Sequence, residues 1–279
     1  MPIAFGPFPG PRQDHFGNPR DWSKSTFTTA SIKFRTSRTL LENFFPTSEF
    51  KFVAADTNCF ATFSFSTLGN LEWLGGHGYS HFGLYIHGVE HTQGFGKKRT
   101  GSFLPVLFEN LADPIISGRE ELGMPKVYCS LDAAKVSDTW RLTAGWMGNN
   151  FLDMSLTGLK EQPATTQAQE SGTSSPRVGK GLMFYKYIPK TGTLAKNDKS
   201  ESDAEYLGFV EESHEALKVE TTLVAEKAEL KFNTLDWKRL PTLRHIIERL
   251  AEIPVYEVVE ARIVQGTGGS DLRDVQRIV

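Results

Sequence analysis

Residues 103–131 read FLPVLFENLADPIISGREELGMPKVYCSL and change character several times within one stretch. The apolar run Phe103–Phe108 leads into an acidic, proline-containing turn at Glu109–Pro114. A second apolar pair, Ile115–Ile116, meets Ser117-Gly118-Arg119-Glu120. After Gly123-Met124-Pro125 comes Lys126, at the head of the alternating run Val127–Leu131. A lysine directly after a proline, at the start of an apolar strand, has two explanations. Either its stem snorkels outward to water, or it is held inside for its amine. Strand alternation sets Lys126, Tyr128 and Ser130 on one face, with Val127, Cys129 and Leu131 on the other.

Outward from this stretch the chain is dominated by strand signals. Ser25–Phe34, Phe50–Ser66, Tyr79–Val89, Leu182–Ile188, Phe209–Val210, Leu217–Leu230 and Ile253–Val264 are rich in β-branched and aromatic residues. Thr139–Trp146 and Phe151–Leu156 flank Met-Gly-Asn-Asn, a hairpin signal. Helices are few. Ser37 to Phe45 predicts a short one, capped by Ser37 and ended by Pro46. Pro241 opens another, with Leu243, Ile246, Ile247 and Leu250 on one face. Residues 1–24 form an irregular Pro- and Gly-rich arm, and 161–180 and 190–204 read as polar surface excursions. With no strand–helix alternation, the expected architecture is α+β and mostly β: an antiparallel sheet or barrel with helices near its ends.

At 279 residues, with 39% hydrophobic and 23% charged residues, the chain suits an ordinary globular domain. A formal net charge of −2 argues against nucleic-acid binding through phosphate contacts. No window approaches the roughly 20 apolar residues of a membrane span. The N-terminus lacks the apolar core of a signal peptide, so the expected compartment is the cytoplasm. Cys59 and Cys129 are expected to be reduced thiols.

His77, His81, His87 and His91 cluster in sequence, but strand geometry separates His77 and His81 by roughly 13 Å, so no metal site is expected. Alternation puts His77, Tyr79, His81, Tyr85, His87 and His91 on one face, against Phe82, Leu84 and Ile86. That polar-aromatic face lines a wet cavity or meets solvent; the pattern leaves both open. Gly94-Phe-Gly-Lys-Lys-Arg-Thr-Gly101 and Gly266-Thr-Gly-Gly269 lack nucleotide-binding spacing and read as turns. Arg119 and Glu120 read as charges that orient the turn before Lys126.

The run Glu109-Asn110-x-x-x-Pro-Ile-Ile-x-Gly118-Arg119-Glu120-x-x-Gly-Met-Pro125-Lys126 resembles the signature of the acetoacetate decarboxylase family. Weaker likenesses lie in Lys33-Phe-Arg-Thr36, in Phe184-Tyr-Lys-Tyr-Ile-Pro189 and in Ile253-Pro254-Val255. The resemblance covers most of the chain. It implies a cone-like β-barrel with a few flanking helices, a single domain over 25–279, and additions near 161–180 and 190–204. It also implies a homo-oligomer, no cofactor, and a Schiff-base lysine that falls here on Lys126. A neutral amine would attack a ketone or aldehyde, and the protonated imine would accept electrons from a neighbouring carbon bond. Acetoacetate decarboxylase is itself a reference case for lysine activation by desolvation or an adjacent cation.

The departures shape the expected substrate. The family's second lysine is here Val127, so any lowering of the amine's pKa must come mainly from desolvation by residues such as Met124 and Val127, or from a distant cation. The position of the family's carboxylate-binding arginine becomes Phe27, and that of its catalytic glutamate becomes His77, a group suited to acid–base work near neutrality. The expectation is a lyase acting on a carbonyl compound larger than acetoacetate, in decarboxylation or related aldol or dehydration chemistry of secondary metabolism. Lys126 and His77 would be catalytic, and Phe27, Tyr79, His81, Met124 and Tyr128 would contact substrate. The alternatives are cyclisation or isomerisation without an imine, or a non-catalytic ligand-binding protein.

Overall fold

The computed structural model describes residues 3–6, 8–93, 97–162, 181–192, 201–211, 217–268 and 275–278. Its strands are β1 (Thr26–Ser37), β2 (Phe50–Phe52), β3 (Asn58–Gly69), β4 (Tyr79–Thr92), β5 (Lys98–Glu109), β6 (Lys126–Tyr128), β7 (Ser130–Val136), β8 (Thr139–Trp146), β9 (Asn149–Thr157), β10 (Lys160–Glu161), β11 (Gly181–Pro189), β12 (Ser202–Glu211), β13 (Leu217–Val224), β14 (Lys227–Phe232), β15 (Glu257–Gly268) and β16 (Gln276–Ile278). The α-helices are α1 (Arg38–Glu42), α2 (Ala112–Ser117) and α3 (Arg244–Ala251).

The larger sheet follows the order β10-β13-β15-β1-β3-β4-β5-β11-β12-β16, with β2 on β4 and β6 on β5. The smaller sheet is β14-β9-β8-β7. The mostly β architecture matches the sequence reading. Closure into a barrel is not among the pairings of the described residues, whose path runs openly from β10 to β16.

Two faces of the larger sheet bury different things. Ala30, Ile32 and Phe34 of β1, Phe63 and Phe65 of β3, and Phe82, Leu84 and Ile86 of β4 join the main apolar core. Phe63 stacks between Phe34 and Phe82, with ring centroids 5.4 and 5.7 Å away. The smaller sheet closes this core: Trp140 meets Phe65 at 5.4 Å and Phe151 meets Phe108 at 5.6 Å. Ile247 and Leu250 of α3 seal an end, as their spacing predicts. The opposite face holds a smaller cluster of Tyr85, Leu104, Leu107, Leu122, Met124, Leu182, Phe184 and Val210.

Pro105 separates the two faces within β5. Leu84 pairs with Val106 but Ile86 pairs with Phe103, so one extra residue is accommodated there. Proline donates no ladder hydrogen bond and is confined to edges and bulges. The bulge puts both Phe103 and Val106 in the main core and turns Leu104 and Leu107 to the other side. Glu109, two residues beyond Leu107, therefore shares that second side.

Several local expectations are corrected. Phe50–Ser66 is two strands, β2 and β3, and the last long strand starts at Glu257 rather than Ile253. Ser37 makes no side-chain capping bond. The hairpin turn is the left-handed pair Met147-Gly148, flanked by β8 and β9. Lys98–Gly101, read as part of a turn, lies in β5; a Cβ on Gly101 would come 2.1 Å from the Gly181 carbonyl, so glycine permits the approach of β11. Ser130 belongs to β7 in the smaller sheet, not to the strand carrying Lys126. Residues 94–96, 163–180, 193–200 and 269–274, and with them most of both excursions and parts of both glycine-rich pieces, lie outside the described residues.

Candidate active site

The 16 residues between β5 and β6, 110–125, form the crossover that a parallel pair requires, since Leu107, Phe108 and Glu109 pair with Lys126, Val127 and Tyr128 in parallel. The crossover is α2 followed by a π-helical turn over Gly118–Leu122. It ends at Gly123, whose φ of 79° lies in the left-handed region where glycine carries no Cβ penalty. Single π turns recur at functional sites. Here the turn folds Gly118 against the stem of Lys126: a Cβ on Gly118 would lie 2.4–2.6 Å from the lysine's Cε, Cδ and Nζ. The turn also sends Arg119 Nη1 to donate to the Lys126 carbonyl at 2.9 Å. The backbone carbonyl of Glu120 accepts from Lys186 Nζ at 2.8 Å, which ties the turn to β11.

Lys126 does not snorkel. It is 4% exposed, and its Nζ stands 2.8 Å from Glu109 Oε1 and donates to the Pro114 carbonyl at 2.9 Å. The Tyr79 ring centroid is 5.9 Å away. Glu109 is fully buried, and its Oε2 has no hydrogen-bond partner among the described residues. Burial pushes the Lys126 amine down from the ordinary lysine value, an effect that Glu109 opposes. Burial likewise pushes the Glu109 carboxyl up, with Lys126 opposing. Desolvation thus works against both charges, and a proton moving from Nζ to the carboxylate would leave a neutral amine beside a neutral acid. Burial, then Glu109, holds Tyr79 well above the usual phenol range, so the phenol stays protonated.

Strand register places most of the expected contact residues on one face. Phe27 pairs with Leu68, and Leu68 with Tyr79. One row on, Thr29, Ser66, His81, Glu109 and Tyr128 are successive cross-strand partners. One row further stand Arg262, Ser31, Ser64, Gly83, Leu107 and Lys126. Met124 joins the same side as a buried member of the smaller apolar cluster. Phe27, Tyr79 and His81 are half-buried, while Tyr128 is exposed at the edge. His77 is exposed in the turn two residues before β4, hydrogen-bonded through its backbone to Leu74 and Leu71.

The histidine face is only partly as expected. His87 stays on the Tyr85 side, bonded to Thr62 at 2.7 Å and Ser102 at 2.9 Å. His91 does not: it meets the Phe50 ring of the main core at 4.6 Å. Gly88 has a φ of 70°, and the register shifts between Ile86 and Val89, which flips the parity of the residues beyond. Among the described residues no group of three or more His, Cys, Asp or Glu could hold a metal ion. Both cysteines are free and buried.

Sequence reasoning named Glu109, Asn110 and Gly118 within the family signature but assigned none of them a role in the site. Asn110 Oδ1 accepts from the Ser80 amide at 2.8 Å and holds the start of β4, with Tyr79 and His81, beside the crossover. The signal for Glu109 was present: a single carboxylate closing an apolar strand.

The family model for acetoacetate decarboxylase matches residues 1–269. Among solved structures, acetoacetate decarboxylase from Legionella pneumophila subsp. pneumophila str. Philadelphia 1 superposes with a TM-score of 0.60 at 13% identity, covering 93% of this chain and 86% of that one. The enduracididine biosynthesis enzyme MppR complexed with pyruvate gives 0.59 at 14%, covering 95% and 94%. An acetoacetate decarboxylase-like enzyme from Sphingomonas wittichii RW1 gives 0.58 at 14%, covering 93% and 94%. At such identities these likenesses establish the fold. No curated protein matches the chain.

Proposed function

The chain belongs to the acetoacetate decarboxylase family, and we propose that it is a lyase-type enzyme whose Lys126 forms an imine with a carbonyl substrate other than acetoacetate. The observation that carries this reading is the buried Lys126–Glu109 pair. Glu109 takes a proton from Nζ, and the neutral amine adds to the carbonyl carbon. The carbinolamine loses water with a proton returned from Glu109. The resulting iminium withdraws electrons from an adjacent carbon bond, which breaks in decarboxylation or is remade in aldol or dehydration steps. Tyr79, held protonated, donates a hydrogen bond to the substrate; His81 and Phe27 line the approach. Met124, with the apolar cluster around it, keeps water from the amine. His77 has its place at the solvent-facing rim, ahead of Tyr79.

Two coarser features complete the proposal. Family membership supports closure of the larger sheet into a cone. The exposed run Val255, Tyr256, Val258 and Val259 supports a homo-oligomer built on that surface.

The test is turnover of a panel of 2- and 3-keto acids by the wild-type chain and by Lys126→Ala and Lys126→Arg, read as carbon dioxide release and loss of substrate. Loss of turnover in both folded variants is expected, because an arginine keeps the charge but not the nucleophile. Activity that survives in Lys126→Ala would instead support cyclisation or isomerisation without an imine.

A further inference from the structure

The π turn over Gly118–Leu122 is held between two lysine stems. On one side Gly118 meets Lys126. On the other, Gly123 meets Lys186 of β11: a Cβ on Gly123 would lie 3.1 Å from that lysine's Cβ and Cδ. Between the two glycines, the Glu120 carbonyl accepts from Lys186 Nζ at 2.8 Å. The turn is closed by its own amides, since Gly123 and Met124 both donate to the Gly118 carbonyl. Closure of the turn and the fit of the Lys126 stem therefore meet at one residue, Gly118.

A lysine on this strand has another choice. The neighbouring Tyr187 and Ile188 are exposed, and a lysine stem is long enough to carry its ammonium to water. Lys186 is instead 8% exposed, with the ring centroid of Tyr206, its cross-strand partner on β12, 5.6 Å from Nζ. Arg277 of β16 lies over the same ring, its Cζ 4.5 Å from the centroid, and Val275 packs against the apolar cluster that contains Leu122 and Met124. Setting an ammonium against a carbonyl and a ring costs more than burying hydrocarbon there. What the buried charge secures is the bond to Glu120, because a charged donor holds a carbonyl more firmly than a neutral one. The path of contacts runs from β16 through Tyr206 and Lys186 to the turn, and through Gly118 to Lys126.

We propose that Lys186 is a positioning residue: it clamps the π turn and thereby fixes Lys126 Nζ between Glu109 and the Pro114 carbonyl. The reactivity half of this statement rests on the imine reading above; the turn half does not. Releasing the turn by about 1 Å would carry the amine off its two partners, a misplacement worth roughly 10- to 100-fold in rate.

Two variants separate the bond from the packing. Lys186→Met keeps a stem of similar length without a donor, and Lys186→Arg keeps both the Cβ–Cδ stem and an N–H. Amide hydrogen exchange reads the turn with no substrate present. In Lys186→Met the Gly123 and Met124 amides should exchange about tenfold faster or more, while the core amides of β3 and β4 stay unchanged. Borohydride trapping with pyruvate reads the amine. Its rate at saturating pyruvate should fall about tenfold or more, with the half-saturating concentration and the pH midpoint unmoved. Lys186→Arg should recover most of both effects. The wild-type chain supplies a measurement that needs no variant to fold: acetic anhydride should label Lys186 about tenfold more slowly than the exposed Lys135.

Labelling of Lys186 as fast as Lys135 overturns the proposal, as do unchanged exchange at Gly123 and Met124 or exchange that rises equally in β3 and β4. So do a full trapping rate in Lys186→Met, a shifted pH midpoint, or a Lys186→Arg protein no better than Lys186→Met. Failure of the imine reading would show separately, as no reduction-stable pyruvate adduct on Lys126 in the wild-type chain with the exchange effect of Lys186→Met intact.

Discussion

Lys126 Nζ and Glu109 Oε1 are 2.8 Å apart on adjacent parallel strands, with both side chains almost wholly removed from water. Their proximity is a product of the crossover. Glu109 is the last residue of β5 and Lys126 the first of β6, and because Lys126 pairs with Leu107, two residues before Glu109, their side chains share one face. Ion pairs buried this deeply give little net stability but are costly to break on one side. That asymmetry fits a pair kept for its proton rather than for strength.

Glu109→Gln tests the electrostatic half. Glu109 raises the amine's pKa against burial, so its removal lets desolvation act unopposed. The pH at which half of the Lys126 amine reacts with a carbonyl reagent should fall relative to wild type. An upward shift would mean that Glu109 does not hold the ammonium form.

Gly118→Ala tests positioning. The new methyl would meet the flexible end of Lys126 and not rigid backbone, so the chain folds with a loss of about 1 kcal/mol. The amine is pushed from Glu109 and Pro114, and a displacement of about 1 Å is enough to lose roughly 100-fold in reactivity. Urea titration and borohydride labelling of the same sample read the two effects; a reactive Gly118→Ala protein would contradict the close fit.

Arg119→Gln tests the support beneath the amine. Arg119 is exposed and its bond to the Lys126 carbonyl is part-buried, so the variant should lose about 1 kcal/mol in urea titration. Adduct formation should slow without the pH profile moving. A shifted profile would mean that Arg119 acts on the amine's charge.

His87 predicts acid sensitivity. Burial lowers its pKa from 6.5 to about 3 in the folded chain, while the unfolded ring titrates near 6.5. Below pH 6.5 the unfolded state binds the extra proton, so stability present at neutral pH is lost as pH falls toward 3. By pH 4 the loss is about 3 kcal/mol, at roughly 1.4 kcal/mol per pH unit. In His87→Asn the urea midpoint should change less between pH 7 and pH 4; an identical slope would remove His87 as the source.

Much of this was legible in the sequence because it rests on periodicity. Phe82, Leu84 and Ile86 alternate with His81 and Tyr85, and the sheet's two faces are written in that alternation. The apolar spacing of Leu243, Ile247 and Leu250 gave the end-sealing helix directly. Parity failed where the backbone breaks period: at Gly88, which sent His91 into the main core, and at Pro105, which put both Phe103 and Val106 in that core and turned Leu107 and Glu109 away from it. Lys186 was hidden for a different reason. Its bond to Glu120 spans 66 residues of chain, and no local pattern encodes which elements become neighbours. Whether the lysine pointed inward was also beyond the sequence, because the Gly118 contact that admits its stem exists only once the π turn has formed.

The central claim is that Lys126 is a nucleophile toward carbonyl carbon. Borohydride reduction in the presence of pyruvate, followed by peptide mass mapping, tests it most directly. The predicted result is a single reduced adduct on the peptide carrying Lys126, absent in Lys126→Ala and formed without labelling of Lys186, the other buried lysine among the described residues. Labelling spread over surface lysines, with Lys126 unmodified at saturating pyruvate and at any turned-over keto acid, would contradict the account.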